Sequence, residues 1–555
     1  MVAKCEPGVR GGRLVVGSSN GPKTFNPITQ DETSSGVIIR HLFMSLCGFD
    51  YAKQEVTPGL AESWAVALDN KTWTFKLRKG LRWSDGEPLT ADDVLFTFQA
   101  MYDTNSVNPL ADSEKVKGEP FAVSKLDGLT VQIVTPDVYA PFLESCAAAV
   151  SIVPKHKLAA ILAAGKFDSA YGIDTPPAEL VGSGPFRLKQ YKPGELAVLE
   201  RNPFFFEVDS NGTRLPYFEN IIYTIVPDLN ALSLRFLKGD SDVLESVRPD
   251  EFEKFKAAAA TGKFQFLDLG YSLDVNHLWF NLNPNVNEKT GLPYVEPKKL
   301  EWFQQKNFRQ AVSYAIDRVS IVKSIFAGRA APSYGLLGQG NQKWLNPAIR
   351  EYPYDLQKAR ALLAEIGIKD RDGDGFLEDA DGNPIEFIFN NDTGNSIGNR
   401  TAVMIQSDLK KLGFKVIYQP IEFNTLVDRI VVDRHYDCIL MGYHFGSLDP
   451  VVNYTGILLS SARDHDWNPV QKTPATVWEA RIDELMNAQA QTFDFAERKR
   501  SFDEVQMILN DEMPFVFTIS PRIYTAIRSD IGNLRPTPLV TYHSTWNAEE
   551  LYFKK

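Results

Sequence analysis

LAESWAVALDNKTWTFKLRKGLRWSDGEPLTADDVLFTFQAM, residues 60–101, carries a strand signal, two turn signals and a helix start in that order. Residues 72–78 alternate: Trp73, Phe75 and Leu77 fall on one side, Thr72, Thr74, Lys76 and Arg78 on the other, the period-two pattern of a half-buried strand. Lys79-Gly80 predicts a turn, residues 81–83 a continuation of the strand, and Asp85-Gly86 a second turn. Thr90 is placed as a helix N-cap with Asp93 as its capping-box partner. Val94, Phe98 and Met101 give the following helix its apolar stripe.

Strand and helix patterns alternate on either side of this stretch. Residues 13–17 (RLVVG) predict a short strand. Leu356, Ala359, Leu363 and Ile366 share one helix face, as do Ala402, Ile405, Leu409 and Leu412, and Gly413 is placed to end the second helix. Residues 414–418 read as a strand, 426–432 as a helix, 438–443 (CILMGY) as a buried strand and 514–519 (PFVFTI) as the last clear strand. This order predicts α/β layers with ligands held near strand ends.

A chain of 555 residues has room for several domain-sized units. No window approaches the ~18 consecutive apolar residues of a membrane span. The formal charge of −11 argues against a nucleic-acid partner and suits a soluble monomer. Cys5, Cys47, Cys146 and Cys438 are scattered with no CxxC pair, so neither a disulfide framework nor a zinc site is expected. Phosphate-loop, HExxH, GxSxG and GxGxxG patterns are absent, which moves the expectation from an enzyme towards a binding protein.

Residues 60–101 resemble the signature of extracytoplasmic solute-binding proteins of family 5, the oligopeptide and dipeptide receptors of ABC importers. The matching residues are Leu60-Ala61-Glu62-Ser63-Trp64, Trp73-Thr74-Phe75, Leu77-Arg78, Gly80, Trp83, Asp85-Gly86, Pro88, Thr90-Ala91 and Asp93-Val94. Phe25-Asn26-Pro27, Gly182-Ser183-Gly184-Pro185-Phe186, Arg201-Asn202-Pro203 and Asp449-Pro450 extend the similarity along the chain. The resemblance implies an α/β, two-lobed periplasmic-binding-protein-like fold with a hinge, of type II with an extra side subdomain. Its first lobe would comprise residues 1–47, 181–274 and 514–555, its side subdomain 48–180 and its second lobe 275–513. It implies a non-catalytic receptor, periplasmic or otherwise extracytoplasmic, that closes on a small solute and delivers it to a membrane permease. An oligopeptide is the expected solute and an oligosaccharide the alternative. Cys5, ahead of the polar residues 6–12, stands where a bacterial lipoprotein carries its lipid, although Lys4 departs from the small residue such a cleavage site takes.

Two segments are expected at the ligand. One is residues 31–35, with Asp31, Glu32, Thr33 and Ser34 as candidates; the competing reading is that Thr33, Ser34 and Ser35 cap the helix carrying Arg40 and Phe43. The other is residues 442–449 (GYHFGSLD), with Tyr443, His444, Phe445 and Gly446. The similar peptide receptors place an aspartate for the peptide's α-amino group where Gly446 falls, so this chain departs from them there. Rings suit sugars and apolar peptide side chains, and core packing is the competing reading for Phe445. Trp279, with Asn276 and His277, is a further candidate whose facing the sequence leaves open.

A calcium loop is expected as a structural site, with no cofactor required for function. Asp370, Asp372, Asp374, Phe376, Glu378 and Asp381 match ligand positions of a twelve-residue loop with Gly375 at its sharp turn, against the competing reading of an acidic surface turn. A secreted hydrolase is the rival from another class, and His444 near Asp449 is the one pairing it would draw on.

Overall fold

The computed structural model describes residues 1–554 apart from 107, 109, 110, 112, 113, 117 and 540–543. Strand Thr72–Leu77 is flanked by Ala61–Val66 and Thr130–Val134, and Ala122–Lys125 completes a four-stranded antiparallel sheet. Trp73, Phe75 and Leu77 are buried, as the alternation predicts. Helix Ala91–Met101 begins with a full capping box: Asp92 N–H donates to Thr90 Oγ1 at 3.3 Å, and Thr90 N–H donates to Asp93 Oδ2 at 2.9 Å. Residues 81–83 do not extend the strand. Trp83 N–H bonds Glu87 O at 2.8 Å and Gly86 N–H bonds Trp83 O at 2.9 Å, a tight turn that puts the indole in the core. Pro88, bridged to Arg82, has no N–H with which to continue a ladder.

In the first lobe, Arg13–Ser18 pairs in parallel with Asn220–Ile225, and Leu196–Arg201 and Phe186–Lys192 follow outward. In the second lobe, Asn276–Phe280 pairs with Cys438–Gly442, and Glu386–Asn390 and Lys415–Tyr418 continue the sheet in parallel. Helix Ser396–Leu412 makes the crossover between the last two strands and ends at Gly413. There φ is 119°, and a Cβ would come within 2.7 Å of Leu377 Cγ, so glycine alone fits.

Strand Phe515–Arg528 joins the two halves. Its first part pairs with Asn276–Phe280, as in Leu278 with Val516, and its second part pairs with Phe264–Tyr271, as in Leu267 with Thr525. Phe515, Val516, Phe517 and Ile519 pack in the core that holds Val275, Leu278 and Phe303, so that core continues along the strand as far as Ile519. The sequence pattern stops there because Ser520-Pro521 interrupts the apolar run, and Pro521 marks the crossing. The other crossing lies beside it, where Ser272 N–H bonds Pro521 O at 2.9 Å. A loop seals both: Gly338 N–H donates to Leu273 O at 3.2 Å, and a Cβ at 338 would come within 2.5 Å of Ser272 O. Part of the first lobe, including Leu14, Val16 and Ile221, shares one core with the sheet around Phe75, while Leu232, Phe236, Phe255 and Tyr524 form a smaller cluster and Leu278 belongs to the large core of the second lobe.

The N-terminus packs on the first lobe. Ala3 N–H bonds Val208 O at 2.8 Å, and half-buried Cys5 lies against Phe205, Leu215 and Tyr217. Burial pushes the Cys5 thiol up to about 11. Among the described residues, no helix is long and apolar enough to cross a membrane.

Candidate functional site

Ion pairs run between the two lobes. Lys23 Nζ reaches Asp428 Oδ1 at 2.7 Å, Arg463 Nη2 reaches Asp31 Oδ2 at 2.9 Å, and Arg400 reaches Asp250 at 3.0 Å. Each pair takes one partner from either lobe, so the molecule is in a closed arrangement. A separate cavity of about 650 Å³, lined by Arg13, Arg235, Asp242 and Arg528, opens at the far end of strand Arg13–Ser18 and is not the cleft.

Residues 31–35 divide between two jobs. Asp31 is exposed and crosses the cleft to Arg463. Glu32 is buried and is the N-cap of helix Thr33–Leu42: its carboxylate accepts from Ser35 N–H at 2.9 Å and from Ser34 Oγ at 2.5 Å. The cap is therefore Glu32 and not Thr33, Ser34 or Ser35, and neither Glu32 nor Ser34 has its carboxylate or hydroxyl turned to the cleft unengaged. Thr33 is half-buried beside them.

Residues 442–449 are held from three directions. Tyr443 donates its hydroxyl to Asp466, and its ring stacks on His277 at 5.6 Å. Burial raises both the Tyr443 hydroxyl and the Asp466 carboxyl well above their usual ranges. His444 Nδ1 lies 3.2 Å from Asp274 Oδ2, and Phe445 N–H donates to Asp274 Oδ1 at 3.1 Å, which ties the loop to the crossing. The Phe445 ring packs on Tyr454 at 4.6 Å, so packing takes the ring as the competing reading expected. Gly446 faces Tyr51 and the backbone at Leu539: a Cβ there would stand 3.2 Å from Tyr51 Cε1 and 3.7 Å from Leu539 O. Ser447 donates its hydroxyl to Glu144, and Leu448 N–H donates to Gln54 Oε1 at 3.1 Å. Burial lifts the Glu144 carboxyl to about 7, with the Ser447 bond pulling down and the Asp449 charge pushing up.

Three expectations are corrected. Trp279 lines no cleft; it is fully buried, and its Nε1 donates to Tyr436 Oη at 3.2 Å. Its strand is covered on both faces, so alternation gave no facing. His277 is likewise buried, donates Nδ1–H to Val275 O at 2.9 Å, and is lowered to about 4 by burial. Asn276, at the strand's start, is half-buried and adjoins Gly442. Second, His444 and Asp449 do not pair: Asp449 caps helix Pro450–Leu458 and bonds Arg498 at 2.7 Å, while His444 takes Asp274. Third, the acidic loop converges only in part. Asp370, Asp372 and Asp374 bring ligand atoms within 4.8 Å of one another, but Glu378 and Asp381 stay outside that group. The Glu378 carboxylate accepts Arg371 N–H at 2.9 Å, and Asp381 N–H donates to Asp379 at 3.0 Å in the next turn. Phe376 packs its ring under Lys415.

Sequence reasoning missed Tyr51, Gln54, Glu144, Asp274 and Arg463. Each is an ordinary polar or aromatic residue whose place is set by a partner far along the chain.

The model of bacterial extracellular solute-binding proteins, family 5, matches residues 55–465. Oligopeptide-binding protein AppA of Bacillus subtilis is 28% identical over 95% of this chain and 90% of its own length. The periplasmic alpha-galactoside-binding protein of Rhizobium meliloti is 27% identical over 66% of this chain and 54% of its own. The structure of AppA with a nonapeptide superposes with a TM-score of 0.83 at 26% identity, covering 99% of this chain and 100% of that one. MelB from agrobacterium fabrum shares the fold, with a TM-score of 0.86 at 23% identity over 99% of this chain and 86% of its own.

Proposed function

From the premise that this chain belongs to the bacterial extracellular solute-binding proteins of family 5, and so is a solute-binding protein of ABC transporters, we propose that it binds an oligopeptide between its lobes and delivers it to a membrane permease. The observation that carries this reading is the closed cleft itself, where Asp31 meets Arg463 and the loop of residues 442–449 meets Tyr51, Gln54 and Glu144. A receptor of this design works because the solute favours the closed over the open arrangement. AppA, similar over nearly its whole length, is an oligopeptide-binding protein, which supports the peptide. The protein acts outside the cytoplasmic membrane, in the periplasm or at the cell surface, as a monomer and without catalysis. A calcium ion at Asp370, Asp372 and Asp374 is a structural addition to this proposal.

An oligosaccharide is the second reading, and Gly446 is the observation that favours it. Where the resemblance implies an aspartate for a peptide's amine, this chain presents a glycine with the Tyr51 ring beside it. The alpha-galactoside-binding relative supports it from sequence. Native mass spectrometry of protein purified without denaturant separates the two: a spread of peptide masses supports the first, and a mass in multiples of a hexose sinks it in favour of the second. X-ray scattering with no compaction on adding either class of solute would sink both.

A further inference from the structure

Residues 333–341 (SYGLLGQGN) follow the edge strand Ala330–Pro332, which pairs with residues 519–521 of the long strand. Ser333 N–H continues that ladder to Thr518 O at 3.1 Å. The buried Arg318 guanidinium donates to Ser333 O at 3.2 Å and to Phe517 O at 2.9 Å, so the segment is rooted in the second lobe. It then lies across both crossings as a strap. Gly338 N–H donates to Leu273 O at 3.2 Å, Gln339 N–H to Ser520 Oγ at 3.0 Å and Gly340 N–H to Ser272 O at 3.1 Å. A Cβ at 340 would come within 2.4 Å of Tyr271 O, so only glycine lets backbone rest on backbone there.

Asn341 ends the strap. Its backbone N–H returns to Gly338 O at 3.0 Å, and the residue is 1% exposed. Its Nδ2 donates to Leu448 O at 3.0 Å, while its Oδ1 is shut off from solvent with no partner among the described residues. A buried amide oxygen left unpaired costs free energy, so an apolar side chain would suit this interior better. What the asparagine adds is one donor, given to the loop of residues 442–449. Leu448 in turn donates its N–H to Gln54 Oε1 at 3.1 Å. Gln54 sits in the turn of the hairpin Cys47–Asp50 and Glu55–Pro58, which packs in the first lobe's core through Cys47 and Val56, whereas Leu448 packs against the second core. The other end of the loop is tied to the first crossing, where Asp274 accepts Phe445 N–H at 3.1 Å. Leu448 is thus bonded through its carbonyl to the strap and through its N–H to the opposite side.

We propose that Asn341 is a positioning residue for solute binding: it fixes Leu448 so that the loop of residues 442–449 meets Gln54 in a set register when the lobes close. The inference rests on the reading that the solute is held between the lobes. The strap is fastened to the second lobe at Ser333 and to both crossings at residues 338–340, so Asn341 holds the loop against the hinge itself. A loop ordered in advance forms its closing bond without a fresh ordering cost. That strengthens the closed state and leaves the encounter with solute untouched, so the effect falls on release and not on association.

Two probes, a random pentapeptide pool and galactotriose, test it on the full chain by calorimetry and stopped-flow tryptophan fluorescence. Asn341→Ser, and Asn341→Asp, which keeps the shape and loses the donor, should each bind the probe that the wild type binds about three- to tenfold more weakly. Release should quicken by the same factor, with association unchanged. Gln54→Ala should lose about as much, and adding Asn341→Ser to it should lose no more. Losses that multiply in the double variant overturn the inference, because the two residues then act apart. Wild-type affinity in Asn341→Asp, or slower association with unchanged release, also overturns it. Should Asn341→Ser not fold, Asn341→Asp carries the same comparison with Gln54→Ala; failure of both to fold overturns the inference, since Asn341 then serves the fold alone. Binding of neither probe by the wild type overturns the cleft reading, and this inference falls with it.

Discussion

Arg463 Nη2 donates to Asp31 Oδ2 at 2.9 Å, joining a loop of the second lobe to the residue before the Glu32 helix cap of the first. Both side chains keep partial exposure, 17% and 20%. Pairs of that kind contribute roughly 0.2–1 kcal/mol. Because the two groups part when the lobes open, the contribution goes to closure. Asp31→Asn and Arg463→Gln should each weaken binding of the co-purified solute about two- to fivefold by calorimetry. The double variant should be no weaker than either single. Losses that multiply in the double variant would show that the pair is not a latch.

Closure should also depend on pH through Glu144. In the closed arrangement its carboxyl is buried, accepts the Ser447 hydroxyl and is raised to about 7. Lys343 and Arg498 oppose the shift, and Asp449 adds to it. On opening, the carboxyl returns towards its ordinary value near 4.5. A raised carboxyl favours the protonated closed form, so this contribution is complete below about pH 4.5 and fades as pH rises through about 7. Solute affinity should fall roughly tenfold between pH 5.5 and 7.5, and Glu144→Gln should flatten that slope. A slope of equal size in Glu144→Gln would assign the pH dependence to another group.

The contrast between residues 60–101 and the cleft explains how far the sequence could be read. The strand, the turns and the helix of that stretch are specified by neighbours within a few positions: Trp73, Phe75 and Leu77 by alternation, Thr90 and Asp93 by a capping box. Strand Phe515–Arg528 was legible only to Ile519, because Pro521 breaks the pattern at the point where the chain passes between lobes. The loop of residues 442–449 was legible as a place but not as a set of roles. Tyr443 answers to Asp466, His444 to Asp274 and Ser447 to Glu144, and no local pattern carries those pairings.

The loop of Asp370, Asp372 and Asp374 should respond weakly to calcium. Three exposed carboxylates converge there, and their repulsion is relieved by a divalent cation. Glu378 and Asp381 stay outside the group, so the site lacks the bidentate acid that tightens such loops. Millimolar calcium should raise the melting temperature by a few degrees, and Asp372→Asn should remove the effect. An identical melting curve for both proteins with and without calcium would leave the loop as an acidic turn.

Gly446 gives the sharpest test of what the cleft accepts. A Cβ there would come 3.2 Å from Tyr51 Cε1, closer than ordinary contact, so the ring must yield before any side chain fits. Tyr51 is not free to swing, because Trp546 and Phe49 pack edge-on against it at 5.7 and 5.1 Å. Gly446→Asp alone should therefore hold the lobes apart and lower affinity for the native solute, read as a larger radius of gyration in its presence. Combining it with Tyr51→Ala makes room for the new carboxylate. The double variant should then prefer peptides with a free α-amine over N-acetylated ones by about tenfold, a preference the wild type should lack. Should Gly446→Asp alone acquire that preference without loss of closure, Tyr51 would not be the residue that fills this part of the cleft.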